Sequence, residues 1–140
     1  MGDRELLRGL EFGFLAVDGA GCLGVLSSAG YGPIPVEVLE RVDLEAKRIE
    51  TIQEWPRTGG FVTVGERDGD LASWTSLSER GIYCFDWKHW TGPYLSVSRP
   101  AAPLMAAESP FPDAILSLGA VSFAEVASVD FAELGIPQIP

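Results

Sequence analysis

The segment at residues 36–55 constrains the fold most, because its apolar residues recur at intervals of three and four. This spacing puts them on one face of an α-helix, with charged residues of alternating sign mostly between them. The apolar positions are Leu39, Val42, Ala46, Ile49 and Ile52. Pro35 suits the first helical turn, where its missing N–H is not needed, and Pro56 ends the pattern. We therefore predict one amphipathic helix over about residues 35–55.

Two β-hairpins are predicted, one on each side of this helix. In the first 30 residues, the β-prone runs EFGFLAVD and CLGVLSSAG flank the turn signal GAG. Later, GIYCFDW is strongly β-prone, PYLSVSRP alternates between two faces, and KHWTG lies between them, which predicts a hairpin loop near residues 88–92. In the first of these strands, alternation puts Tyr83, Phe85 and Trp87 on one face and Ile82, Cys84 and Asp86 on the other.

The remaining segments complete the predicted domain. FVTVGERDGD indicates a strand followed by an acidic loop, and LASWTSLSERG a short helical or irregular segment closed by Gly81. PDAILSLG predicts a short helix capped by Asp113, and weak alternation over residues 121–134 favours a strand, with a helix left open. We expect a single α+β domain over residues 1–140: an antiparallel β-sheet built from hairpins, with one long amphipathic helix packed on it.

Acidic residues dominate the charge of the chain. Twenty acidic residues against ten basic ones give a formal net charge of −10. Such a charge repels phosphate backbones, so we expect no nucleic-acid partner. A basic protein surface is the partner that this charge favours, because opposite charges speed association. The plainer interpretation is that the charge serves solubility alone.

The chain carries no sequence signal for a membrane or for secretion. It lacks a run of about 18 apolar residues, and its first residues, MGDRELLRGL, lack the basic start and apolar stretch of a signal peptide. We therefore expect a soluble, cytoplasmic protein without a membrane partner. Cys22 and Cys84 lie in apolar runs with nothing basic beside them, which is typical of small buried side chains rather than reactive thiols.

The only histidine lies close to a carboxylate. Asp86 and His89 are three positions apart in a chain with many serines, and a histidine oriented by a carboxylate is the base of a hydrolytic triad. No GxSxG motif accompanies the pair, and this short spacing recurs by chance, so a structural loop histidine is the favoured interpretation. A small hydrolase that uses His89 and Asp86 is kept as the alternative.

No motif predicts a metal or a cofactor. In GERDGD, Glu66, Asp68 and Asp70 alternate as in a calcium loop, but the calcium-loop pattern does not continue into the following LAS. A tight acidic turn, or an electrostatic contact for a basic partner, is the favoured interpretation. The cysteines and the histidine lack zinc spacing, and GAGCLG, although it has GxGxxG spacing, leads into a strand-like run rather than a helix. We predict no metal, cofactor or catalytic residue.

The predicted loop at 88–92 combines aromatic and charged side chains. Trp90, beside Lys88 and His89, has the composition of an interface anchor, and covering the sheet edge is an equally plausible role. Together with the acidic stretch, this loop predicts a partner-binding surface made of Glu66, Asp68, Asp70, Asp86, His89 and Trp90.

The order of SSAGYGPIP, a helix, GIYCFDW, TGPY and RPAAPL resembles a group of small bacterial proteins, some of which are similar to immunity proteins encoded beside polymorphic or secreted toxins. The resemblance covers about residues 12–104 and brings no catalytic residues with it. It implies a protein that neutralises a cognate toxin by binding it, and acidic immunity proteins fit a basic, nuclease-like toxin. A third interpretation is a regulator or structural subunit that binds a small ligand in an apolar cavity lined by Trp87 and Tyr94, and a homodimer would fit it.

Overall fold

The computed structural model describes residues 13–28, 32–64, 72–87, 93–111 and 115–139. Its elements in chain order are β1 (Gly13–Asp18), β2 (Leu23–Ser27), β3 (Ile34–Pro35), α1 (Val36–Leu39), α2 (Val42–Gln53), β4 (Phe61–Thr63), α3 (Ala72–Ser78), β5 (Tyr83–Trp87), β6 (Tyr94–Pro100), a 3₁₀ turn (Ala106–Glu108), β7 (Leu116–Leu118), β8 (Ser128–Val129) and β9 (Gln138–Ile139). The expected α+β class is confirmed.

Seven strands of the described chain form one mixed sheet. Its order is β4-β6-β5-β2-β1-β7, β8 also pairs with β6, and β3 pairs with β9 in a separate two-stranded sheet. The pairs β1–β2 and β5–β6 are antiparallel, which confirms the strands of both predicted hairpins. However, β1–β7 and β2–β5 are parallel, so the expected antiparallel sheet needs correction. The chain between β2 and β5 contains the three α-helices of the described residues, and a long connection of this kind is what parallel pairing requires.

The sheet separates two hydrophobic cores. Alternation along β5 is as predicted, because Tyr83, Phe85 and Trp87 face the first core, whereas Ile82 and Cys84 face the second. On its outer side, the first core is covered by α1 and by the C-terminal residues 121–136. The second core is covered by α2 and α3. Large aromatic side chains fill the first core, with the rings of Phe14, Tyr94 and Phe131 packed against one another.

The predicted long helix is divided into α1 and α2. Residues 40–41 separate them, and Arg41 leaves the helical region with φ −140° and ψ 42°. Val38 of α1 belongs to the first core, and Val42 at the start of α2 still packs against it. Ile52 further along α2 belongs to the second core, so α1 and most of α2 cover opposite faces of the sheet. Because residues 40–41 interrupt the helix, the prediction of a continuous helix over about residues 35–55 is not confirmed.

The C-terminal third departs most from the sequence predictions. Leu116–Leu118 is a strand beside β1 rather than part of a short helix, and Asp113, its predicted cap, lies outside the described residues. Residues 121–134, predicted as a strand, form turns and contain only the two-residue β8. By contrast, the short helix predicted before Gly81 is present as α3, and Gly81 follows it with a φ of +93° that favours glycine.

Candidate functional site

The predicted partner-binding residues fall mostly outside the part of the chain that the structure describes. Glu66, Asp68, Asp70, His89 and Trp90 lie in residues 65–71 and 88–92, which are not described. Asp86 is described: it lies in β5, partly buried, with Ser27 of β2 and Leu95 of β6 as its neighbours across the strands. The pairing of Asp86 with His89, and the surface that the six residues would form, therefore stay predictions.

One buried carboxylate organises the first hairpin. Asp18 closes β1 and is 5% exposed. Its Oδ1 accepts hydrogen bonds from the backbone N–H groups of Ala20, at 3.0 Å, and Cys22, at 2.8 Å. Its Oδ2 accepts one from the N–H of Phe123, at 2.8 Å. Asp18 thus holds the β1–β2 turn and ties it to the C-terminal residues, so its role is structural. The Asp-Gly dipeptide of this turn was the signal available in the sequence.

A second buried carboxylate lies where α2 passes the sheet. Glu45 is fully buried, and its Oε2 accepts a hydrogen bond of 2.7 Å from the backbone N–H of Leu15 in β1. Its Oε1 accepts a 3.0 Å hydrogen bond from Arg48 and lies 3.5 Å from Nε of Arg41. Glu45 and Arg48 therefore form a buried ion pair, and neither charge is available to a partner at the surface. Glu45 is one of the charged residues between the apolar positions of the predicted helix, and the pattern gave no signal for a buried role.

Every arginine in the described residues makes a contact within the chain. Arg41 lies near Glu37 and Glu45, Arg57 pairs with Glu79, and Arg48 is buried against Glu45. The two others donate to backbone carbonyls: Arg80 to those of Trp55 and Ser76, and Arg99 to those of Ala124 and Val126. Most of the basic side chains in the described residues are therefore held by contacts within the chain.

Carboxylates, by contrast, are concentrated on the outside of the helices. We call the exposed residues Glu37, Glu40, Asp43, Glu50 and Glu54 of α1, α2 and their ends the acidic helical surface. Lys47 is the only exposed basic residue in this stretch. Val36, 37% exposed, and Leu44, 43% exposed, lie in the same stretch. Each of the two helices therefore exposes negative charge beside an apolar side chain, Val36 on α1 and Leu44 on α2, a combination that suits contact with a basic partner.

A groove of about 260 Å³ lies at the N-terminal end of this surface. It is lined by Val36, Glu37, Glu40, Ile136 and Pro137. The N–H of Val36 donates a 3.0 Å hydrogen bond to the carbonyl of Pro137, and the adjacent β3–β9 pair holds the two sides of the groove together. The groove is thus bounded by backbone that hydrogen bonds fix on both sides.

The buried thiol of Cys84 is poorly suited to nucleophilic chemistry. Complete burial raises its pKa from 9.0 to about 12, although a hydrogen bond with Ser78 acts in the opposite direction. At neutral pH the side chain is therefore a neutral thiol. Ser78 donates to the carbonyl of Ile82 at 2.8 Å and accepts a 2.7 Å hydrogen bond from Ser98, so this buried network joins α3, β5 and β6. The interpretation of Cys84 as a small buried side chain is confirmed; Cys22 is only partly buried.

The aromatic pair Trp87 and Tyr94 is part of the first core. Their rings lie 5.1 Å apart with an interplanar angle of 61°, and the Tyr94 hydroxyl donates a 2.8 Å hydrogen bond to the carbonyl of Pro33. Tyr94 is fully buried, so its ring serves packing. The described residues contain no group of three or more His, Cys, Asp or Glu side chains placed to hold a metal ion.

Comparisons with known proteins leave the chain without an assigned relative. No family model, no curated protein and no solved structure matches it. Among the described elements, no helix is both long enough and apolar enough to cross a membrane.

Proposed function

We propose that the protein is a non-enzymatic binding protein for a basic protein partner, and specifically a cytoplasmic immunity protein that neutralises a cognate bacterial toxin. The observation that carries this proposal is a difference between the basic and the acidic side chains. The described arginines contact groups of the protein itself, whereas the carboxylates of the acidic helical surface are exposed to solvent. Within the described residues, the outward-facing charge is thus more one-sided than the composition alone requires.

An anionic surface of this kind favours a partner that is itself shaped to bind anions. A nuclease-like toxin carries basic groups to hold phosphates, and opposite charges raise the rate at which two proteins meet. In this proposal the loop with Glu66, Asp68 and Asp70 adds steering charge, while Asp86, His89 and Trp90 anchor the complex. Nucleic acid and membrane are not partners in this proposal, and a homodimer is not needed for it.

The test is capture of the partner followed by a toxicity assay. The tagged protein is incubated with lysate of its native host, and a stoichiometric basic protein encoded next to its gene is expected. Expression of that protein alone should arrest growth, and co-expression should restore growth. An acidic partner, or toxicity that co-expression leaves unchanged, would refute the proposal.

Variants locate the interface within this test. Trp90→Ala, and joint replacement of Asp68 and Asp70 by asparagine, are each expected to weaken toxin binding without unfolding the domain. Glu125→Gln, an exposed carboxylate far along the chain from both loops, is the matched control and should bind like the parent protein. If both loop variants bind with unchanged affinity, the assignment of these two loops is wrong even if the toxin is real.

A second candidate function is favoured by a cleft on the second-core side of the sheet. The cleft has a volume of about 490 Å³ and is lined by uncharged side chains, namely Gly13, Val25, Ser27, Ile49, Gln53, Ser73, Trp74 and Leu77. Its size suits a small neutral ligand, which would make the protein a ligand-binding regulator. A thermal-shift screen of neutral metabolites tests this: a hit that raises Tm in the parent protein but not in Trp74→Ala would support it, and the absence of hits would argue against it.

A further inference from the structure

We infer that the groove between α1 and the C-terminal residues is a seat for one arginine or lysine side chain of the partner. This inference deepens the proposed function and rests on it, because it states which chemical group of a basic partner the protein receives. The groove has an apolar part and a carboxylate part, and these two parts match the two parts of a long basic side chain.

The apolar part is formed by residues from two distant segments. Val36 is more than a third exposed although it is a large apolar residue, and Ile136 and Pro137 face it across the groove. An aliphatic stem of three or four methylene groups placed between them would cover apolar surface that is otherwise in water. The hydrogen bond from Val36 to Pro137 keeps the two segments in place, so little ordering is needed on binding.

The carboxylate part is supplied by Glu37 and Glu40. The carboxylate of Glu37 lies 3.6 Å from Arg41, so its charge is shared with a cation of the chain itself. Glu40 is exposed and makes no ion pair with the other described residues. The rim of the groove thus carries about one uncompensated negative charge, which suits a single incoming ammonium or guanidinium group.

The volume of about 260 Å³ also favours one side chain over a larger ligand. The two carboxylates would repel an anionic group. A wholly apolar side chain would leave them partly desolvated and without a partner. A basic side chain satisfies both parts of the groove at once.

NMR titration with single amino acid derivatives tests the seat without the toxin. Nα-acetyl-arginine N-methylamide is added to the ¹⁵N-labelled protein at low salt, and Nα-acetyl-citrulline N-methylamide serves as the uncharged probe of nearly equal shape. We expect saturable shifts of the backbone amides of Val36, Glu37, Glu40 and Ile136 with the arginine derivative, with a dissociation constant on the order of millimolar, since an exposed ion pair is weak. The citrulline derivative should bind about three- to fivefold more weakly.

Two sets of variants complete the test. Glu37→Gln with Glu40→Gln should raise the dissociation constant about three- to fivefold, and Val36→Ser should also raise it, while each spectrum stays that of a folded protein. Glu50→Gln with Glu54→Gln removes the same charge elsewhere on the acidic helical surface and should leave the constant within twofold. Shifts that spread over the whole surface without saturating, or that respond equally to both double variants, would overturn the inference.

Failure of the arginine seat can be distinguished from failure of the proposed immunity function. If a basic toxin binds but Glu37→Gln with Glu40→Gln has no effect on that binding, the seat is refuted and the immunity function stands. If no basic partner exists while the arginine derivative still saturates the groove, the seat stands and the immunity function is refuted.

Discussion

Glu45 shows how one side chain joins a helix to the edge of a sheet. β7 pairs with residues 16–18 of β1, and beyond that pairing the N–H of Leu15 donates to the Glu45 carboxylate instead of to a strand. Arg48 then neutralises the carboxylate inside the protein. Breaking a buried pair of this kind is costly because the remaining cation stays buried without its partner.

Glu45→Ala is therefore expected to lower the free energy of unfolding by about 3–5 kcal/mol, measured by urea denaturation. The matched control is Glu50→Ala, an exposed carboxylate on the same helix, which should change it by no more than about 0.5 kcal/mol. Equal effects of the two substitutions would contradict the structural role of Glu45.

The buried thiol of Cys84 predicts how the stability of the protein changes at alkaline pH. In the folded protein its pKa is raised to about 12 by burial, whereas in the unfolded chain it returns to about 9.0. The unfolded state therefore loses the thiol proton first, and stability falls as pH rises from the unfolded toward the folded pKa, by about 1.4 kcal/mol per pH unit. In the parent protein, this effect lowers the free energy of unfolding by about 1.4 kcal/mol between pH 8 and pH 10. In Cys84→Ala this part of the decrease should be absent, as measured by urea denaturation at the two pH values. An unchanged pH slope in the variant would show that other groups cause the decline.

At the scale of elements, side chains replace regular secondary structure in the C-terminal third. Residues 121–134 lack a ladder of strand hydrogen bonds beyond β8, and their backbone is held by Asp18 at Phe123 and by Arg99 at Ala124 and Val126. Residues distant in sequence thus fix a segment whose own pattern predicts a strand.

Arg99→Lys tests this support, because lysine keeps the charge but loses the planar fork that reaches two carbonyls. We expect a loss of stability of about 1–3 kcal/mol and faster amide hydrogen exchange at Val126 and at Ser96, whose N–H bonds to Ala127. Arg57→Lys, which alters a largely exposed ion pair with Glu79, is the control and should leave exchange at both amides unchanged. Faster exchange in both variants would point to a general loss of stability instead.

These elements also show what the sequence could predict. Local signals sufficed where neighbours in sequence are neighbours in space, as in both hairpins and in α3 before Gly81. Local signals failed where residues distant in sequence determine the structure. Periodicity cannot show that α1 and most of α2 cover opposite faces of the sheet, nor that Leu116–Leu118 pairs with β1. For the site, the excess of acidic charge was readable, but the groove joins Val36 to Ile136 and had no local signal.

At the scale of the whole molecule, the net charge of −10 sets a self-repulsion that salt relieves. The Debye length falls from about 10 Å at 0.1 M salt to about 3 Å at 1 M, so most of the repulsion between exposed carboxylates is screened at high salt. The native state, which holds these charges closer together than the unfolded chain does, should gain from screening.

Raising NaCl from 0.05 M to 0.5 M is thus expected to raise Tm by a few degrees, measured by circular dichroism. In Glu50→Gln with Glu54→Gln, which removes part of the repulsion, the rise should be smaller. A fall in Tm with salt in the parent protein would mean that its internal ion pairs outweigh the surface repulsion.

The pairing of β1 with both β2 and β7 also predicts an order of folding events. β2 follows β1 after a short turn, whereas Ala16 meets Leu116 only after a large loop has closed, and Ile34 meets Ile139 across a similar separation. Such closures cost chain entropy before their contacts form, and chains dominated by them fold in milliseconds to seconds. The first hairpin and α2, joined through Glu45, can form while β7 is still unpaired. We expect the groove, which joins Val36 to Ile136 and Pro137, to form only once a closure of this size has taken place.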